Sequence, residues 1–295
     1  MTILYIIGNG FDKFHKLPTG YDDFNNYIIN NTLIENIFEE YFQLRTNENG
    51  LWSDFENDLG TFNWRSFIDG NDNIDVQDEN FRPSFTYGLE DDIQQKVDEL
   101  VDGIKEEFEN WLNQINIETV DKKFDFEEES IFLNFNYTLI LEEVYKVPSE
   151  KIFHIHGDIE NGQGLIFGHN KELSNIPEID ENGDINRTMF TDSENVSKYP
   201  FYAFQKPVTE IIAENKIFFD NLKIIEEIII LGHSLNTIDI PYFEEIKRQT
   251  KDSIKWNVSI YKDEEKKQHL DALKGIGIEE RNINLFRMEK LKAHA

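Results

Sequence analysis

Short apolar runs, each ending at small or polar residues, recur along the chain: Ile3–Ile7, Ile131–Phe135, Lys151–Ile155, Gly164–Phe167, Ile228–Leu231 and Val258–Tyr261, with a weaker run at Ile283–Phe286. Runs of this length and composition suit strands buried on both faces. Amphipathic stretches lie between several of them, after Gly10, from Leu139 to Lys146, from Pro207 to Phe219 and from Pro241 to Thr250. Strands alternating with helices predict an α/β fold: a doubly wound, mostly parallel, Rossmann-like sheet.

One interval breaks the alternation. Between about Asp22 and Glu129 nothing reads as a core strand, whereas Ile93, Val97, Leu100, Val101, Ile104, Phe108, Trp111, Leu112 and Ile115 step by three and four along one helical face. The expected organisation is a nucleotide-binding core of residues 1–21 and 130–295, interrupted by a helical insertion or lid at 22–129. Within the insertion, the Asp- and Asn-rich segment 69–80 predicts a mobile loop. A second polar stretch, 171–198, predicts an exposed excursion between sheet elements.

The charge balance narrows the partners. Lys plus Arg number 29 against 58 Asp plus Glu, a formal net charge of −29, which opposes nonspecific attraction to nucleic acid or anionic lipid. No Cys is present, which excludes thiolate catalysis and Cys-ligated zinc or iron–sulfur sites. The first apolar run is too short for a signal peptide or a membrane span and has no basic leader, so a cytoplasmic protein without membrane contact is expected. With 24 Phe, the chain has ample material for a core.

The chemistry-bearing residues fall at the ends of predicted strands. Gly8-Asn9-Gly10-Phe11-Asp12 follows the first strand, where α/β sheets commonly bind nucleotide phosphates on backbone N–H groups and a helix N-terminus. A tight turn that starts a helix accounts for the same residues. Thr19 is placed to cap the helix beginning near Tyr21. Asn134 and Asn136 end the next strand and share a side by strand alternation. They suit water, ribose hydroxyls or a nicotinamide amide, or simple turn bonds. His154 and His156 share a face by the same period; His156 suits a general base. With Asp158 and His169 the two His could instead hold a divalent metal for a nuclease or phosphoesterase, or be one core and one surface His. Gly232-His233-Ser234 ends a further strand, where Gly232 permits close approach and Ser234 can donate to a phosphate or ribose oxygen. Asp239 is expected to cap the helix that follows. Glu56 is either a lid carboxylate or a solvated, helix-packing residue. Jointly, Gly8, Gly10, Asn136, His156, Gly232 and Ser234 occupy the carboxyl ends of separate strands, where open α/β sheets bind ligands.

These residues carry a resemblance. Ile7-Gly8-Asn9-Gly10-Phe11-Asp12, Leu17-Pro18-Thr19 with Tyr21, Trp52-Ser53-Asp54-Phe55-Glu56, Phe135-Asn136-Tyr137-Thr138, Ile155-His156-Gly157, Phe167-Gly168-His169-Asn170 and Gly232-His233-Ser234-Leu235-Asn236 resemble the AbiH family of bacteriophage abortive-infection proteins. Lys16 departs from it by standing where the usual Gly-Leu-Pro pattern has glycine. The order of turns also resembles a remote, sirtuin-like NAD-binding core. By that resemblance Gly8, Asn9, Gly10 and Asp12, with Gly232, His233 and Ser234, would bind NAD or a related nucleotide, and Asn136 and His156 would be the catalytic pair. Asp12 replaces the small hydroxyl residue of sirtuins, Thr138 replaces an acid, and the missing Cys argues against deacetylation. The activity so implied is NAD glycohydrolysis with NAD as substrate and no required metal, in an anti-phage effector held in check until a phage-derived trigger or homo-oligomerisation releases it. A nucleotide-sensing module without catalysis is the remaining alternative.

Overall fold

The computed structural model describes residues 2–29, 32–72, 74–160, 164–174, 179, 182–183 and 185–291. It divides into two compact units, one of residues 1–23, 109–166 and 207–295 and the other of residues 24–108 and 167–206.

The first unit contains a sheet of six strands: β1 (Ile3–Ile7), β2 (Ser130–Asn134), β3 (Ile152–His154), β4 (Glu227–Leu231), β5 (Lys255–Ser259) and β6 (Ile283–Phe286). Every pairing is parallel, in the order β3-β2-β1-β4-β5-β6. The order reverses direction between β1 and β4, which makes that gap the topological switch point of a Rossmann-like sheet. The apolar runs became strands because both faces are covered. On one face Leu4, Ile6, Leu133, Ile228, Ile230, Trp256 and Val258 join Phe219, Tyr242, Phe243 and Leu273 in a core. On the other, Tyr5 stacks on Phe132 at 5.3 Å and the aromatic set continues through Phe126, Phe11, Phe124 and Tyr145.

One predicted strand is absent. Gly164–Phe167 forms no strand. Its Ile166 N–H donates to the His156 carbonyl and its Ile166 carbonyl accepts from the Tyr137 hydroxyl, after which the chain passes into the second unit at Phe167. One pair of bonds does not extend a ladder, and an apolar run alone does not distinguish a strand from a packed connection.

The second unit is helical, with helices Thr32–Tyr41, Phe55–Leu59, Trp64–Asn71, Leu89–Asn113, Thr191–Ser197 and Tyr199–Ala203 in whole or in part. In Leu89–Asn113 the periodic residues from Ile93 to Phe108 are buried. Phe24, Phe38, Trp52 and Phe55 interlock as rings, with Trp52 and Phe55 stacked at 5.1 Å. The part of 171–198 that is described includes helix Thr191–Ser197, which packs on Trp64–Asn71; the remainder of that segment lies partly outside the described residues.

Candidate functional site at the carboxyl edge of the sheet

The first turn leaves β1 at Ile7 and enters the helix Asn9–Phe14 at once. Its glycines are accounted for by a second turn. A Cβ on Gly8 would lie 2.6 Å from His233 Cα, and one on Gly10 would lie 2.8 Å from Gly232 Cα. Gly232 adopts φ +69°, and a Cβ there would collide with the backbone N of Phe11. The two turns therefore close on each other at the switch point, with the Gly10 N–H donating to the Gly232 carbonyl at 2.7 Å and the Phe11 N–H to the Gly8 carbonyl at 2.8 Å. Those amides, the ones a phosphate would use, are already donated within the chain.

The side chains of the first turn face inward. Asn9 binds Thr19 at both ends of its carboxamide, donating to the Thr19 carbonyl at 2.7 Å and accepting from the Thr19 hydroxyl. Thr19 thus pins the loop to Asn9 and does not spend its hydroxyl on capping. Asp12 is buried and accepts from Asn136 Nδ2 and from the Thr138 hydroxyl, each at 2.7 Å. Burial pushes the Asp12 carboxyl up to about 7, against the pull of its Thr138 and Asn136 hydrogen bonds and of the His154 charge. Asn136 Nδ2 also donates to the Gly8 carbonyl at 3.2 Å, while its N–H donates to Asn134 Oδ1. Asn136 Oδ1 is buried and accepts no hydrogen bond among the described residues.

The two predicted histidines separate. β3 ends at His154, and the chain turns at once, reaching φ +79° at Gly157, so strand alternation does not carry through to His156. His154 lies beside its register partner Asn134 and donates from Nδ1 to the Asn136 carbonyl at 3.2 Å, with Nε2 2.7 Å from Glu142 Oε1. Burial depresses its pKa, but the Glu142 hydrogen bond and charge, the Asp158 charge and the Asn136 carbonyl outweigh it, and the net direction is upward. His154 therefore braces the strand end between Glu142 and the Asn136 carbonyl.

His156 instead packs on Phe135, with ring centroids 5.2 Å apart, and on Tyr242 at 5.8 Å. Its Nε2 stands 3.9 Å from Asp239 Oδ1, and His233 Nε2 stands 3.6 Å from Asp239 Oδ2. All three are buried. His233 Nδ1 accepts from the Leu235 N–H at 3.0 Å, which places its proton on Nε2, facing Asp239. Asp239 occupies the N-cap position of helix Ile240–Gln249 without a side-chain capping bond, so the expected capping role is corrected: the carboxylate lies between two imidazoles. No sequence period marks this, although an acid six residues beyond a strand-end His was visible.

Two polar groups thus meet around Gly8. Asn136, itself bonded to Asp12, donates to its carbonyl, and the His233 backbone leaves no room for a Cβ on it; Phe135, next to Asn136 in sequence, packs its ring on both His156 and His233. Ser234 is not part of this arrangement: it is exposed, and its carbonyl accepts from Gln268. The metal set does not assemble. Among the described residues no group of three or more His, Asp or Glu is arranged to hold a metal ion. His154 is committed to Glu142, and His169 lies in the second unit with Nε2 on the Phe201 carbonyl and Nδ1 accepting from the Lys171 N–H. Glu56 is neither solvated nor a free lid carboxylate, because both its oxygens lie within 3.1 Å of Lys206 Nζ, and both residues are buried. The second unit also holds a cleft of about 620 Å³ lined by Phe81, Phe85, Tyr87, Asp92 and Lys96 among others, together with Asn71, Asp75 and Asp78 of the segment 69–80; none of the candidate catalytic or binding residues lines it.

The sheet order, the turns that close on each other at the switch point and the buried polar residues beyond the ends of four strands define an α/β protein with a candidate ligand site at the carboxyl edge of a Rossmann-like sheet. Against known families, the description Bacteriophage abortive infection AbiH matches residues 4–260, and the chain belongs to that family. No curated protein and no solved structure matches the chain. No helix among the described residues is long and apolar enough to cross a membrane.

Proposed function

We propose that this abortive-infection protein hydrolyses NAD, or a closely related ribonucleotide, at the N-glycosidic bond to nicotinamide. The observation that carries the reading is the buried Asn136 oxygen, which accepts nothing among the described residues, at the same strand edge as the His156–Asp239–His233 cluster. Burying a polar acceptor without a partner costs about 1–3 kcal/mol, a cost that a ligand hydrogen bond would recover. The order of strand ends, with its Asn and His, resembles the sirtuin arrangement and adds to this support.

Nicotinamide leaves NAD as a neutral molecule from a cationic ring, so the difficulty lies in the oxocarbenium-like ribose. Asn136 orients the ribose and the attacking water. The C1′–N bond breaks, the water oxygen bonds to C1′, and the proton lost from water passes to His156, whose Nε2 stands 3.9 Å from Asp239. The products are nicotinamide, ADP-ribose and a proton. Because the Gly10 and Phe11 amides are engaged, the glycine turn serves the reaction by placing the Gly8 carbonyl against Asn136, and no phosphate contact is assigned to it.

The test is nicotinamide release from NAD by the purified chain, with and without chelator, compared with Asn136→Ala and His156→Ala. Chelator-insensitive release lost in both variants supports the reading. Binding of NAD without turnover, before and after addition of phage lysate, supports a nucleotide sensor instead and overturns it.

A further inference from the structure

The Asn136 carboxamide is held one way round. Its nitrogen carries two N–H bonds, and both are directed at acceptors, Asp12 Oδ1 at 2.7 Å and the Gly8 carbonyl at 3.2 Å. Turning the group over would set its oxygen against two oxygens, one of them on a buried carboxylate. Asp12 in turn is held by the Thr138 hydroxyl on its other oxygen, at 2.7 Å. The oxygen of Asn136 is thereby the atom left for a ligand, and it is buried and accepts nothing among the described residues.

We infer that Asp12 is a positioning residue that fixes the Asn136 oxygen as the site's acceptor, so that the ligand group bound there is a hydrogen-bond donor, a hydroxyl or water, and never a carbonyl or phosphate oxygen. The inference rests on the proposed reading for its ligand, a ribose hydroxyl of NAD, and on this chain's own contacts for the lock. It assigns Asp12 a role different from direct nucleotide contact: the carboxylate acts through Asn136.

The geometry distinguishes two substitutions. Asp12→Asn keeps an oxygen for Asn136 Nδ2 and offers its amide to the Thr138 hydroxyl, which can accept as well as donate. Asp12→Ala removes the acceptor and frees the carboxamide to rotate. Calorimetric titration with NAD should therefore show Asp12→Asn within about threefold of the unsubstituted protein and Asp12→Ala weakened about tenfold or more, the loss of one well-placed hydrogen bond. The double variant Asp12→Ala/Asn136→Ala should bind no more weakly than Asn136→Ala, because Asp12 has no effect once the group it positions is gone. Affinity for NAD lacking the 2′- or the 3′-hydroxyl on the nicotinamide ribose should fall in the unsubstituted protein and not fall further in Asn136→Ala.

Additive losses in the double variant, or Asp12→Asn as weak as Asp12→Ala, overturn the inference while leaving NAD binding intact. A second measurement needs no ligand: the side-chain NH2 resonances of Asn136, identified by their loss in Asn136→Ala, should be slowed in hydrogen exchange and should shift in Asp12→Asn. Unprotected resonances indifferent to Asp12→Asn overturn the lock. Protected resonances with no NAD binding overturn the proposed function and retain the lock.

Discussion

At the scale of single residues, the first turn combines a stabilised helix end with a costly buried acid. Helix Asn9–Phe14 ends with Lys16 at φ +66°, its N–H on the Lys13 carbonyl and the Leu17 N–H on the Asp12 carbonyl, the paired bonds of a helix stop that favours glycine at the left-handed position. Lys16→Gly should raise stability by about 0.5–1 kcal/mol, read as a higher denaturation midpoint. Asp12 contributes in the opposite sense. Burial raises its pKa to about 7 from the ordinary 3.8, so between those values the folded chain holds a proton that the unfolded chain has lost. Stability then falls as pH rises from about 4 to 7, by an amount on the order of a few kcal/mol. Asp12→Asn, which keeps both hydrogen-bond partners, should flatten that part of the stability–pH curve and melt at a higher temperature than the parent at pH 8. An unchanged slope would show that Asp12 is ionised throughout that range.

At the scale of elements, the strands were legible because their apolar residues had to be buried on both faces, and the register pairs Leu4 with Ile228 and Ile6 with Ile230 without a polar interruption. What lay beyond the strands was less legible. His154 and His156 are two apart, yet alternation ends when the strand does, and His156 joins Phe135 and Tyr242 while His154 joins Asn134 and Glu142. The first glycine turn was legible as a phosphate cradle or as a tight turn that starts a helix; what the sequence does not mark is that its glycines make room for the Gly232 turn. Glu56 and Lys206 are 150 residues apart, and nothing local in either segment announces their pairing. That buried pair ties the Phe55–Leu59 helix to the end of the second unit's other segment. Lys206→Met removes the cation held against the buried Glu56 carboxylate and should cost about 3–5 kcal/mol in chemical denaturation. The Glu56→Gln/Lys206→Met double variant should recover part of that loss; no recovery would mean that the lysine's packing, not its charge, matters.

At the scale of the whole molecule, a net charge of −29 and a family role in abortive infection fit the proposal of an effector that acts on a small metabolite, because such a ligand needs no positive surface to reach the buried Asn136 oxygen and the His156 ring. The site assembled at the switch point is small and its residues are held by one another: Asn136 by Asp12 and Gly8, His233 by the Leu235 N–H, and Asp239 between His156 and His233. The most direct measurement is total cellular NAD through a phage infection, in bacteria carrying the parent chain, Asn136→Ala or His156→Ala at matched protein levels. NAD should fall several-fold before lysis with the parent alone, and phage growth should be restored in both variants. Phage growth arrested by the parent while NAD stays at its uninfected level would contradict the proposed NAD hydrolysis.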